Sequence, residues 1–289
     1  MSVTSSNQVA AISRPANTYN TSAWVYFAIT LGWSGAFWGI AGLTALPVDT
    51  LSTSLLLVLG GIGPSLAAIL INLREREKYR HRDFWLRIID LRRIRPAWYL
   101  VIFLTVPLTS LVAVWMRTIL TGEPYHFDQA ITLLTRPVGL LPLVLSLFFF
   151  GPLPEELGWR GFALDRLQSR WNAVTSSIIL AAVWAIWHIP LFFIQGTYQQ
   201  ALGFGTAGFW LFLAGIFPET ILMTWIFNNT HRSTLAAILY HFMINFTGQF
   251  IDPAAQGLAL YRLACAAMLA LLVIWIFGKN LAKDKQNHS

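Results

Sequence analysis

The chain has 289 residues, 56% hydrophobic and only 11% charged, with 13 tryptophans and a mean hydropathy of +0.57, which excludes an ordinary soluble domain. Its net charge of +7 would suit nucleic acid in a soluble protein. In a chain this apolar it points instead to cytoplasmic loops facing anionic lipid, so the bilayer is the expected partner and nucleic acid is not.

The composition predicts an all-α membrane protein. The first 22 residues are polar and lack the basic-then-apolar pattern of a cleaved signal, so they read as a disordered cytoplasmic tail. Ser2 follows Met1, which rules out a myristoylation signal, and no CaaX cysteine stands at the C-terminus. Spanning takes about 20 mostly apolar residues. Eight stretches meet this, roughly 23–46, 51–72, 97–119, 138–166, 174–194, 206–227, 233–250 and 258–278. They form one helical membrane domain, 23–278, with no internal repeat, followed by a basic cytoplasmic tail at 279–289. In the basic segment after the second stretch, Phe84–Leu91 carries apolar residues at helical spacing and reads as an interfacial helix. The fourth stretch holds Pro152 and Pro154, which remove backbone hydrogen bonds and predict a broken helix. Cys265 lies in the last stretch and reads as a small core residue.

Charge orients these spans. The 73–96 segment is dense in arginine, and further basic residues cluster around 160–170, at Arg232 and in the tail. Of the 20 lysines and arginines, only Arg117, Arg136 and Arg262 fall toward the opposite face. The positive-inside rule then places both termini in the cytoplasm, and the count of eight spans satisfies it, whereas seven would put the basic tail outside.

The most informative residues are polar ones in the wrong place. Val138–Pro154 is uncharged and then runs into Glu155 and Glu156. Ionisable groups within a span are costly and mark functional sites. His188 lies in the next span, and His241 with Asn245 in the seventh. At 1.5 Å of rise per residue, Glu155, His188 and His241 lie ~16, ~20 and ~12 Å from the basic ends of their helices. They should therefore meet in one layer inside the bundle, in a site expected to open toward the cytoplasm. Glu156 and Arg160 are four apart, so an ion pair is expected, leaving Glu155 free to take a proton from water. His241 and Asn245 share a face and could hold a developing oxyanion. Gly158 and Gly161 would allow close helix approach. Glu219, beside Pro218, could face the same cavity or line a polar crevice. His126 and His231 read as loop histidines. Asn228-Asn229-Thr230 is a glycosylation sequon at a cytoplasmic end, which makes modification there unexpected.

These residues resemble a known set. Glu155-Glu156-Leu-Gly-Trp-Arg160 matches EExxxR, Trp184-Ala-Ile-Trp-His188 resembles FxxxH with Trp for Phe, and His241-Phe-Met-Ile-Asn245 matches HxxxN. In that order they resemble the CPBP intramembrane proteases, the CAAX-processing and bacteriocin-immunity family, over about 138–250. The resemblance implies an eight-helix intramembrane endopeptidase acting on a membrane-associated peptide or protein, prenylated or not. In the family picture the first glutamate, here Glu155, activates water with help from His188. His241 and Asn245 hold the oxyanion, while Glu156 and Arg160 hold the architecture. The Trp184 exchange is expected to alter packing more than chemistry. Glu155, His188 and His241 could also form a zinc set, since members are often labelled metalloproteases, but no HExxH is present and a metal-free glutamate mechanism is the expectation. A proton-coupled transporter or a non-proteolytic scaffold using the same residues is the rival reading; a carrier would often carry two repeated halves, and none is evident.

Overall fold

The structure is a computed structural model that describes residues 22–74 and 78–282. The expectations for the N-terminal tail, and for Arg14, Arg76, Lys283 and Lys285, lie outside the described residues. Among the described residues the fold is all helical.

Helix α1 (Ala23–Thr44) starts where the Ser22 hydroxyl accepts a hydrogen bond from the Trp24 amide. The second predicted span is two helices, α2 (Leu51–Gly61) and α3 (Gly63–Arg74), bent by 44°. Pro64 supplies the physical reason, because it has no N–H to offer the Gly60 carbonyl. The Ser34 hydroxyl of α1 donates to that carbonyl at 2.7 Å instead. The Trp33 and Trp38 indoles donate to the neighbouring Leu59 and Leu57 carbonyls. The bend is therefore satisfied by protein rather than lipid, as the hydrocarbon region requires.

Helix α4 (Lys78–Ile89) covers the segment predicted to lie at the interface. Its Phe84 and Arg87 are buried against the bundle, while Trp85 and Ile89 stay exposed. Helix α5 (Pro96–Thr121) spans next, followed by the short α6 (Asp128–Thr135). The fourth span is composite: α7 (Leu140–Phe149), α8 (Pro152–Gly158), a π-helical stretch (Trp159–Ala163) and α9 (Leu164–Gln168). Then follow α10 (Ala173–His188), α11 (Tyr198–Leu202), α12 (Ala207–Asn229), α13 (Thr234–Phe250) and α14 (Ala259–Phe277).

Each predicted span is thus matched in place by helix, but the count of eight is approximate. Among the described residues six helical stretches are long and apolar enough to cross a membrane, or up to seven with the α2–α3 pair taken as one. Helix α13, with 17 residues, is the short one. It spends part of its length on His241, Asn245 and Thr247 rather than on apolar side chains.

The connections sort onto two faces. On one, the Arg93 guanidinium donates to the His231 carbonyl, the Val174 amide to the Lys279 carbonyl and the Asn228 amide group to the Asn280 carbonyl. Asp165 joins Arg87 and Arg232 there, and Asp83 joins Arg87 and Arg93. Burial alone would raise the Asp83 carboxyl, but the adjoining Arg87, Arg232 and Arg93 guanidiniums hold it below the usual carboxylate range, so it stays ionised. On the other face, the Val48 amide donates to the Gln195 carbonyl and Arg117 to the Gln256 carbonyl. The first face is the basic one. Asn228 and Asn229 of the sequon are used in closing it, against Gln168, Asn280 and Leu281.

Candidate active site

The site is built around a deliberate break. Gly151, at φ −134° and ψ −92°, stands between α7 and α8, and Pro152 opens α8 at a position where a missing N–H costs nothing. A β-carbon at Gly151 would lie 3.2 Å from the Asn245 amide nitrogen, so the glycine lets Asn245 approach the break. At Gly158 a β-carbon would collide with the Tyr26 hydroxyl and the Pro64 carbonyl. The backbone of α8 therefore lies directly on α1 and α3, which fixes the two glutamates. Immediately after them the helix widens into the π stretch, a distortion frequent at functional sites.

Glu156 and Arg160 are fully buried, and the guanidinium Nη1 donates to both carboxylate oxygens at 2.8 and 2.9 Å. His241 Nδ1 also bonds Glu156 Oε1, at 2.9 Å. An ionised Glu156 held by Arg160 can only accept, so His241 Nδ1 carries the proton and Nε2 is the nitrogen left for other work. His188 is pinned in the same sense. Its Nδ1 donates to the Trp184 carbonyl at 2.8 Å, leaving Nε2 as an acceptor when the ring is neutral. Glu155 is buried as well, and its Oε2 accepts a 2.7 Å hydrogen bond from the Trp184 indole. The Trp184 ring also lies 4.8 Å from the Arg160 guanidinium and packs edge-on to His241 at 5.2 Å.

Glu155, His188, His241 and Asn245 line one cavity of about 1030 Å³. Glu219 lines it too, accepting from the Tyr240 hydroxyl at 3.1 Å, so of its two readings the one facing the cavity is what the structure gives. The cavity runs toward one end of the bundle. The cavity wall includes Tyr198, Asp252, Ala254 and Arg262, all at the end of the bundle opposite the basic face, and no lining residue comes from the basic-face connections. The reason lies beneath the glutamates. Trp159, Arg160, Phe162 and Leu164 are packed to 0–1% exposure, and the Arg87–Asp165–Arg232 cluster closes the surface below them. His188 also sits in the last turn of α10, nearer the open end than a simple depth estimate suggests.

The two histidines present their Nε2 atoms with Nδ1 tied to a carbonyl and a carboxylate, a pattern that zinc histidines share. Among the described residues, however, no three His, Cys, Asp or Glu side chains converge as a metal-holding group. The Glu155, His188 and His241 set does not fit a metal as placed, and no step below runs through one.

Sequence reasoning placed Glu155, Glu156, His188, His241, Asn245 and Arg160, and the fold brings all six together from α8, the π stretch, α10 and α13. It missed Trp184. The exchange of Phe for Trp alters more than packing, because the indole N–H reaches the carboxylate assigned as the base. The signal was available: Trp184 is one turn before His188, on the same helix face. A hydrogen bond to a charged group is worth roughly 1.5–3 kcal/mol. Trp184→Phe keeps the ring and removes the donor, so kcat should fall roughly tenfold or more with KM little changed. An unchanged kcat would mean that the indole does not orient Glu155.

Two comparisons bear on this geometry. Residues 137–247 match the family model described as type II CAAX prenyl endopeptidase Rce1-like, an interval that contains all three motifs. The chain is also 27% identical over 277 residues to a Methanococcus maripaludis protein described as CAAX prenyl protease 2, covering 93% of this chain and 98% of that one. The 137–247 segment is thus similar to the Rce1-like CAAX prenyl endopeptidases, the family its EExxxR, WxxxH and HxxxN sequences resemble.

Proposed function

We propose that the protein is an intramembrane endopeptidase that hydrolyses a peptide bond of a membrane-associated substrate with a water activated by Glu155. The carrying observation is the division of labour between the adjacent glutamates. Glu156 is committed to Arg160 and His241, whereas Glu155 keeps a carboxylate oxygen on the cavity wall. Glu155 takes a proton from water, and His188 Nε2 accepts from the same water and orients it. The hydroxide oxygen bonds the scissile carbonyl carbon, and negative charge moves to the carbonyl oxygen. The Asn245 amide donates to that oxyanion, and so does His241 Nε2 when the imidazole is charged, since its Nδ1 is already occupied. Collapse breaks the C–N bond, and the Glu155 proton passes to the leaving amine.

The basic face is read as cytoplasmic, because among the described residues only Arg117, Arg136 and Arg262 of the lysines and arginines lie toward the other face. The relative's printed name concerns prenyl substrates. A library of membrane peptides, with and without a prenyl group, tests activity and preference together. Cleavage by the reconstituted protein that disappears in Glu155→Ala is the expected result. Absence of cleavage across the library, alongside substrate-dependent proton flux, would overturn the reading in favour of a carrier.

Metal dependence is separable from this. With a glutamate mechanism, activity should survive exhaustive chelation and be independent of zinc content. His241→Ala should lose on the order of a hundredfold or more, as removal of other oxyanion donors does, while His241→Gln keeps part of the activity through its amide. Inactivation by chelator with recovery on zinc addition would replace the glutamate mechanism with a metal-centred one.

A further inference from the structure

We infer that α4 and the turn after it form a docking face for anionic phospholipid headgroups, and that a bilayer held there steadies the helices carrying the buried polar residues of the site. Neither part depends on the proposed activity.

The outer side of α4 is a single stripe. Tyr79, Arg82, Trp85 and Ile89 recur at spacings of three and four, so they share a helix face, and all four are exposed. Leu91 and Arg95 are exposed as well and extend the stripe past the end of the helix. Aromatic rings beside arginines suit the boundary of a bilayer, where the ring sits among the upper acyl chains and the guanidinium reaches the phosphate layer.

Charge selects the occupant. The acids of the basic face are already engaged: Asp83 with Arg87 and Arg93, Asp165 with Arg87 and Arg232, and Asp90 with Arg92. Arg82 and Arg95 make no side-chain hydrogen bond or ion pair among the described residues. The exposed acids among those residues are Asp49, Glu123 and Asp128, and all three lie on the other face. A second copy apposed through the stripe would therefore set arginine against arginine. A layer of anionic headgroups supplies the counter-charge and takes Trp85 and Ile89 between its chains.

The inner side of α4 is fastened to the site. A ring carbon of Phe84 lies 3.4 Å from where a β-carbon on Gly161 would stand, in the π stretch one residue after Arg160. Arg87 pairs with Asp165 of α9, and its carbonyl accepts from the Ser233 hydroxyl at 3.5 Å, at the start of α13. Pinning α4 thus restrains the segment that follows Glu155 and Glu156. It also restrains the base of the helix that carries His241 and Asn245.

Amide hydrogen exchange of the purified full-length protein tests both parts. The protein is placed in phosphatidylcholine vesicles with or without phosphatidylglycerol. Phosphatidylglycerol should slow exchange across 78–95, and to a lesser degree across 161–170 and 233–237, while leaving α12 unchanged. Arg82→Gln should give back roughly fivefold of the slowing at 78–95. Arg82→Gln combined with Arg95→Gln should abolish it. Both side chains are exposed, and unchanged exchange in α12 checks that the variants remain folded.

Equal exchange in the two lipids, or full slowing in the double variant, would overturn the docking face. Equal slowing by soluble glycerol phosphate in pure phosphatidylcholine would make the stripe an anion site and overturn the bilayer as occupant. Protection that rises with protein-to-lipid ratio and ignores phosphatidylglycerol would identify a second copy and overturn it likewise. Slowing confined to 78–95 would retain the lipid face and overturn its steadying of the site.

Discussion

Glu155→Gln should abolish turnover while the protein still folds and reconstitutes. The amide has the shape of the carboxylate and can still accept the Trp184 indole hydrogen bond at the same oxygen, so the packing around α8 survives. It cannot take a proton from water. General-base catalysis by a positioned side chain contributes typically 10²–10⁴-fold, and a glutamate with no substitute nearby puts the expected loss at the upper end of that range. Glu156 is no substitute, because its oxygens are occupied by Arg160 and His241. Glu219 lines the same cavity but is held by Tyr240 on a different helix. Near-normal kcat in Glu155→Gln, with unchanged substrate KM, would remove Glu155 as the base and make Glu219 the next residue to test.

The sequence made much of this arrangement legible for identifiable reasons. An uncharged run ending in two glutamates cannot be a plain lipid-facing helix, so the active layer announced itself through its cost. Spacings of four, at Glu156–Arg160 and His241–Asn245, carried directly into shared helix faces. The start of α13 is equally local, with the Ser233 hydroxyl accepting from the Ala236 amide. What was not legible depended on partners distant in the chain. The 44° bend at Ile62 required Ser34 of another helix to satisfy the freed Gly60 carbonyl. The Trp184–Glu155 bond joins residues 29 apart. Counting residues from helix ends gives depth but not which end of the bundle is packed shut. That depends on Asp165 collecting Arg87 and Arg232 from two other segments. Likewise the amphipathic spacing of Phe84–Leu91 does not by itself reveal that Phe84 and Arg87 are buried against the bundle.

Glu156→Ala should cost stability as well as activity, and more stability than any other single change at the site. Its carboxylate is the common acceptor for Arg160 and His241, and its side chain has no exposed surface. Removing it leaves the Arg160 guanidinium buried without its counter-charge, a situation that costs about 3–5 kcal/mol. The Trp184 ring over that guanidinium does not offset this loss, because the same contact is present before the change. Activity should fall with it, because His241 loses the acceptor that fixes its ring and its donor nitrogen. The double change Glu156→Ala with Arg160→Ala removes the orphaned charge along with its partner. Its loss of stability, measured by thermal unfolding in detergent or bicelles, should therefore be smaller than the sum of the two single losses. Activity should not recover in the double variant, since His241 remains unanchored. Strict additivity of the stability losses would mean that Glu156 and Arg160 are not energetically coupled. Recovery of turnover in the double variant would mean that the pair does not act through His241.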